Sequence, residues 1–155
     1  MALYYFDSSS MVKLYISEPG TETVIRLASA RSGNQISTSV LTRVEIRSAL
    51  ARKLRRNEIL SEDAEIAIGL LEEHWRNRFL RQPISDMILD QACSLLLKHG
   101  LKAYDAVQLA SCLSIQKSAL ANQSSVTFVC SDTLLSDAAT AEGLISIDPE
   151  DGESP

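Results

Sequence analysis

A chain of 155 residues is long enough for one domain with its own buried core. Its composition, 45 % hydrophobic and 23 % charged, argues against a disordered chain, and no apolar run approaches the roughly 18 residues of a membrane helix. The formal charge of −5 excludes a general attraction to polyanions, so any contact with nucleic acid requires a local basic surface.

The start of the chain predicts a location and a first strand. The first ten residues do not combine a basic segment with a long apolar one, so we expect no secretory signal, a cytoplasmic location and no membrane association. Residues 3–6 form an apolar, β-prone run that stops at Asp7, which is typical of a strand buried on both faces. The serines that follow can cap a short helix.

The rest of the chain alternates between strand and helix patterns. Further strands are expected at 35–38, 79–82, 126–130 and 144–147, and helices at 11–15, 21–28, 41–56, 61–77, 85–99, 103–117 and 134–142. This alternation predicts a parallel sheet that is covered by helices on both faces. We expect a single domain over residues 1–147 and a flexible acidic tail over 148–155, where two prolines and a glycine discourage regular structure.

Two aspartates follow the two clearest strands. Asp7 ends the first strand, and Asp132 follows the strand at 126–130. Ligands of open parallel sheets bind beyond the carboxyl ends of the strands, which favours a functional role for both acids. Each aspartate also precedes a helix, so a simple N-cap remains an alternative.

Two further acids lie on helices whose neighbours are apolar. Glu45 shares a helical sector with Leu41 and Ala49, which predicts a carboxylate on the buried side that requires a cation. Asp105 lies in the first turn of a mostly apolar helix, where the helix dipole alone is an alternative explanation. If the four acids converge, each pair about 5 Å apart repels by about 3 kcal/mol at an effective dielectric near 20. A divalent cation removes that repulsion, and oxygen ligands favour Mg²⁺ or Mn²⁺.

Basic residues are concentrated in one predicted helix. Six of the fifteen lie there: Arg43, Arg47, Arg52, Lys53, Arg55 and Arg56. This segment either steers phosphate groups or is a solvated helix face. The three cysteines have no metal-ligand spacing and are expected to be buried, reduced thiols.

The acids and their neighbours resemble the PIN-domain family, and more closely the VapC-like toxins of bacterial toxin–antitoxin pairs. The resemblance rests on four segments that hold the four acids, in the order residues 5–20, 42–50, 101–110 and 129–144. It implies a three-layer α/β/α sandwich with a central parallel sheet of about five strands. It also implies that Asp7, Glu45, Asp105 and Asp132 hold one or two Mg²⁺ or Mn²⁺ ions.

The function implied by this resemblance is an endoribonuclease in which metal-activated water attacks an RNA phosphodiester. Ser8 is then a candidate contact for the substrate, with Arg43 and Arg47 from the basic segment. A cognate antitoxin and a homodimer are the implied partners, with the apolar helices over residues 41–79 as candidate surfaces. The alternative is a PIN-like module that binds RNA or protein without cutting. The intact set of four acids favours the enzyme.

Overall fold

In the computed structural model, which describes residues 1–151, five strands alternate with seven α-helices. The strands are β1 (Leu3–Phe6), β2 (Gln35–Ser39), β3 (Phe79–Gln82), β4 (Val126–Val129) and β5 (Ile145–Ile147). The helices are α1 (Ser8–Met11), α2 (Thr21–Ala28), α3 (Thr42–Arg55), α4 (Ser61–Asn77), α5 (Asp86–His99), α6 (Ala103–Ala121) and α7 (Thr133–Ala141). The strands and the longer helices are present, and α6 continues past its predicted end at residue 117. The helix predicted at 11–15 begins earlier: Asp7, and not a serine, caps α1, which contains the serines, and residues 12–14 continue it as a 3₁₀ turn.

All five strands form one parallel sheet in the order β3-β2-β1-β4-β5. The chain winds outward from β1 to β3, then crosses to the other side of β1 and winds outward again from β4 to β5. The sheet therefore reverses its winding direction between β1 and β4. A crevice for ligands is expected at the carboxyl ends of these two strands, because the helices that follow them leave toward opposite faces.

Alternating residues of the central strands face two separate cores. Tyr5 and Phe128 are fully buried on the face covered by α5, α6 and α7, with ring centroids 5.7 Å apart. Phe6 and Val129 are fully buried on the other face, against helices α1 to α4. Because successive side chains of a strand point to opposite faces, each central strand contributes to both cores. The result is the predicted α/β/α sandwich.

The beginning of the acidic tail packs against the domain, and its predicted flexibility from residue 148 stays a prediction. Pro149 is buried, and Glu150 Oε1 lies 3.0 Å from Lys13 Nζ. Gly20 allows this close approach: its φ is +89°, and a Cβ there would lie 3.1 Å from the carbonyl carbon of Pro149. The predicted tail over residues 152–155 lies outside the described residues.

The three cysteines differ in burial. Cys112 and Cys130 are buried free thiols as predicted, whereas Cys93 is exposed on α5. Within residues 1–151, no helix has the length and apolar character needed to cross a membrane.

Candidate active site

The crevice at the ends of β1 and β4 is a cavity of about 590 Å³. All four acids predicted from the sequence line it, together with the predicted substrate contact Ser8. Asp7 and Asp132 arrive from the ends of β1 and β4, Glu45 from α3, and Asp105 from the first turn of α6. The tertiary structure therefore brings together residues that lie up to 125 positions apart, from 7 to 132, in one site.

Asp7 is the most buried acid of the site. The residue is only 3 % exposed. Its carboxylate accepts hydrogen bonds from Ser10 N at 3.0 Å and from Ser9 Oγ at 2.8 Å. The Cys130 thiol also donates to Asp7 Oδ2, over 3.3 Å. Burial raises the pKa of Asp7 above its ordinary value even though these donors oppose the shift. Asp7 is thus held in place by neutral hydrogen-bond donors.

Asp132 both caps a helix and lines the cavity. Its Oδ1 accepts a 2.8 Å hydrogen bond from Leu135 N and so caps α7. The same residue is exposed and lines the cavity. Asp7 likewise caps α1 through its bond to Ser10 N. The capping and site interpretations are therefore compatible for both aspartates.

Glu45 faces the cavity and not the core, which corrects the expectation of a core-facing carboxylate. Leu41 and Ala49 share its sector as predicted, and all three are partly exposed and line the cavity. The core-facing side of α3 consists of Thr42, Ile46 and Leu50. Glu45 Oε1 accepts a 2.7 Å hydrogen bond from Gln108 Nε2.

The pKa of Asp105 reflects the charges of the other three acids. Its pKa is raised from 3.8 to about 6, first by burial and then by the charges of Asp132, Asp7 and Glu45, against a weaker opposing effect of Lys102. The four carboxylates therefore lie within one another's electrostatic field. None of the four takes part in an ion pair among the described residues.

The chemistry of this donor set fits a hard divalent cation, since all four ligand candidates are carboxylates. Their present arrangement is not a finished coordination sphere: no group of three or more acidic, histidine or cysteine side chains over residues 1–151 is positioned to hold an ion. Asp7, Asp132 and Glu45 each accept a hydrogen bond from a protein donor.

The basic residues near the cavity differ from those predicted. Arg43 and Arg47 do not line it, because both guanidinium groups bind Glu72 of α4, at 2.6 and 2.7 Å. Arg52, on the same helix, and Lys102, immediately before α6, line the cavity instead. One arginine of the predicted basic segment thus lines the site, and two others form ion pairs that link α3 to α4.

Several residues of the site were not singled out from the sequence. They are Ser9, Lys102, Tyr104, Gln108 and Cys130. Gln108 gave a usable signal, since it is a polar residue between apolar neighbours three positions after Asp105. Cys130 gave none, because a buried thiol in a strand is ordinarily part of a core.

Fold and site together define an α/β protein with an acidic crevice where its parallel sheet reverses direction. The PIN domain family matches residues 4–128 of the chain. Ribonuclease VapC45 of Mycobacterium tuberculosis is 32 % identical over 119 residues, which cover 74 % of this chain and 78 % of that protein. The chain therefore belongs to the PIN-domain family, and the resemblance identified in its sequence, including that to VapC-like proteins, is confirmed.

Solved structures support the same fold. FitAcB from Neisseria gonorrhoeae is 19 % identical and superposes with a TM-score of 0.58, covering 96 % of this chain and 98 % of that chain. A toxin-antitoxin complex from Klebsiella pneumoniae contains a chain that is 16 % identical and gives a TM-score of 0.53, with coverages of 94 % and 97 %. At these identities the likeness establishes the shared fold.

Proposed function

We propose that this protein is a Mg²⁺- or Mn²⁺-dependent endoribonuclease that acts as the toxin of a toxin–antitoxin pair. The observation that carries the proposal is the convergence of four acids on one cavity, where three of them help to raise the pKa of Asp105 to about 6. A site that concentrates four carboxylates, none of them in an ion pair with a described residue, is unfavourable unless it binds a cation. Nuclease activity is also what the name of the relative VapC45 states for that protein.

Asp7, Glu45, Asp105 and Asp132 are the residues that would hold the metal. When bound, a divalent ion supplies an activated water and stabilises the charge that develops on the leaving oxygen of a phosphodiester. The chain's own contribution is to hold the acids at one place: Asp7 through Ser9 and Ser10 N, and Asp132 through the first turn of α7.

Cationic and aromatic side chains at the cavity fit a single-stranded RNA substrate. Arg52 and Lys102 can offset the negative charge of the site for an approaching phosphate. Tyr104 is 62 % exposed beside Asp105 and offers a ring on which an unpaired base can stack. Ser8 offers a hydroxyl at the cavity wall. These four residues replace the predicted set of Ser8, Arg43 and Arg47.

The proposed partners are an antitoxin and a second copy of this chain, in the cytoplasm. A toxin-antitoxin complex is among the structures of the same fold. Helices α3 and α4 expose apolar side chains that suit a protein partner: Val44 is 64 % exposed and Ile66 is 69 % exposed. Co-purification with the product of the adjoining gene tests the first partnership, and light scattering of the purified protein tests the second.

Cleavage of a mixed RNA pool tests the enzyme. The purified protein, free of antitoxin, is incubated with Mn²⁺ or Mg²⁺ beside the variants Asp7→Asn and Asp105→Asn. Asp137→Asn is a matched control, since Asp137 is an exposed aspartate that does not line the cavity. We expect metal-dependent cleavage that falls by at least about tenfold in the two site variants and is unchanged in the control.

Two outcomes would contradict the proposal. Equal cleavage by wild type and both site variants would place the activity outside the acidic site. RNA binding without cleavage by any of these proteins, in the presence of bound metal, would favour the alternative of a non-catalytic binding module.

A further inference from the structure

Gln108 is a buried polar side chain that connects to the acidic site from within the fold. The residue is 1 % exposed and lies on α6, one turn after Asp105. Its amide contacts three other elements: Tyr5 of β1, Ser8 of α1, and Thr42 with Glu45 of α3.

The hydrogen bonds of Gln108 allow only one orientation of its amide. The Tyr5 hydroxyl donates to Gln108 Oε1 over 2.6 Å. On the other side, Gln108 Nε2 donates to Glu45 Oε1 at 2.7 Å and to Thr42 Oγ1 at 2.9 Å. An ionised carboxylate only accepts hydrogen bonds, so the nitrogen must face Glu45. Reversing the amide would place two acceptors against each other in a buried position.

The partners of Gln108 are themselves fixed. Thr42 Oγ1 lies 2.7 Å from Thr38 Oγ1, and the Thr38 hydroxyl lies 2.7 Å from the carbonyl oxygen of Phe6 in β1. Tyr5 is fully buried and packs against Phe128. The amide is thus held between the sheet and α3, which limits rotation of the Glu45 carboxylate that it contacts.

We propose that Gln108 is a positioning residue that holds the Glu45 carboxylate at the cavity in the orientation in which it receives the cation. The role presupposes the proposed nuclease activity. Second-sphere hydrogen bonds of this kind orient metal ligands, and their removal lowers metal affinity or activity by about 10- to 100-fold. The same arrangement leaves Glu45 Oε2 without a bond to Gln108.

Gln116 provides a matched control on the same helix. It is a half-buried glutamine of α6, and its Oε1 accepts a 2.8 Å hydrogen bond from Val126 N of β4. This bond links helix to strand but involves none of the four acids. Gln116→Met therefore removes a glutamine hydrogen bond of α6, as Gln108→Met does, but leaves the four acids untouched. It measures how far general destabilisation alone changes metal binding.

The hydrogen bond itself is tested in metal-free protein. The exchange of the Gln108 side-chain amide protons is measured by NMR in wild type and in Glu45→Ala. We expect slow exchange in wild type and faster exchange of at least one proton in the variant, because its acceptor is removed. Unchanged exchange would show that the two side chains do not interact, and would overturn the proposal whatever the activity of the protein.

The functional role is tested by Mn²⁺ titration calorimetry and by cleavage kinetics on Gln108→Met, Gln108→Asn and Gln116→Met, with the thermal midpoint of each variant recorded. Gln108→Asn keeps an amide but is too short to reach Glu45, so it serves if the methionine variant does not fold. We expect the Mn²⁺ dissociation constant to rise by about 10- to 100-fold in both Gln108 variants and to stay at the wild-type value in Gln116→Met.

The outcomes separate this role from the proposed function. Wild-type Mn²⁺ affinity in both Gln108 variants would overturn the positioning role and leave the nuclease proposal intact. An equal fall in affinity in Gln116→Met would also overturn it, since general destabilisation would then explain the effect. Absence of Mn²⁺ binding by the wild type would instead contradict the proposed function, and the positioning role with it.

Discussion

Lys13 and Glu150 join the two ends of the described chain: the Lys13 ammonium, in a side chain only 4 % exposed, lies 3.0 Å from Glu150 Oε1. Glu18 is a second, longer partner, at 3.6 Å. A buried ammonium is unfavourable unless it is paired, so we expect the residues after β5 to contribute to the stability of the domain. They also lie against Gly20, on the loop that precedes α2.

Removing the charge of Glu150 should destabilise the protein. We expect Glu150→Gln to lower the free energy of unfolding by about 1 to 3 kcal/mol, the range for a hydrogen bond to a charged group, because Lys13 then keeps only the more distant Glu18 as a charged partner. Urea denaturation measures the change. Glu58→Gln is the control, since its side chain is 45 % exposed, close to the 43 % of Glu150, and its partner Lys53 lies 3.5 Å away and is itself partly exposed. A destabilisation no larger than in the control would show that the tail segment does not stabilise the domain.

The contribution of Glu72 to stability should depend on pH. Arg43 and Arg47 lower the pKa of Glu72 from 4.5 to about 2. A carboxyl whose pKa is lower in the folded state stabilises the fold above its unfolded pKa, and that contribution disappears as the pH falls from about 5 towards 2. The stability difference between wild type and Glu72→Gln should therefore shrink over this range in urea denaturation.

High salt should also reduce the Glu72 effect, since both arginine side chains are nearly half exposed. Glu73→Gln is the control, because Glu73 is the exposed neighbour on α4 and forms no ion pair with a described residue. A stability difference for Glu72→Gln that does not change with pH would contradict the ion pair.

Metal binding should stabilise the wild type and fail to do so in Asp105→Asn. Mn²⁺ at about 100 times its dissociation constant adds about 2.7 kcal/mol to the stability. For a chain of this size the thermal midpoint should rise by about 5 to 10 °C. Differential scanning fluorimetry with and without Mn²⁺ measures the shift.

Without metal, the order of stability should reverse. Asp105→Asn should melt above the wild type at about pH 7.5, because the substitution removes a charge that the neighbouring acids and burial disfavour. The missing interaction with the dipole of α6, about 0.3 to 1 kcal/mol, is the smaller effect. A metal-free variant less stable than wild type would mean that the four acids do not repel one another strongly.

RNA binding should depend on Arg52 and Lys102 and not on Arg43. We expect Arg52→Gln and Lys102→Gln to weaken binding of single-stranded RNA and to reduce the slope of log K against log salt by about 0.7 for each phosphate that the variant no longer neutralises. Fluorescence anisotropy over a salt series measures both quantities. Arg43→Gln should leave the slope unchanged, because Glu72 already neutralises that guanidinium outside the cavity. Equal slopes in all variants would remove Arg52 and Lys102 from the substrate surface.

The local features of the chain were predictable because they depend on neighbours in sequence. The apolar runs at 3–6 and 126–130 indicate strands, and the position of an acid at the end of each predicts the edge of a parallel sheet where ligands bind. Glu45 was identified by its apolar surroundings, although its sector faces a cavity and not the core. The resemblance to the PIN-domain family then brought Asp105 into the same set.

The remaining features depend on which elements meet. Arg43 and Glu72 are 29 residues apart, and no periodicity shows that α4 places a carboxylate beside α3. Gln108 and Glu45 are 63 residues apart, and Lys13 and Glu150 are 137 apart. The sequence by itself indicated the strands, most of the helices and three of the acids, because these follow from local patterns, and the family resemblance added Asp105. The tertiary structure alone decided which charges are neutralised, which charges face the cavity and which side chain is hydrogen-bonded to Glu45. These properties depend on contacts between residues that are far apart in the sequence.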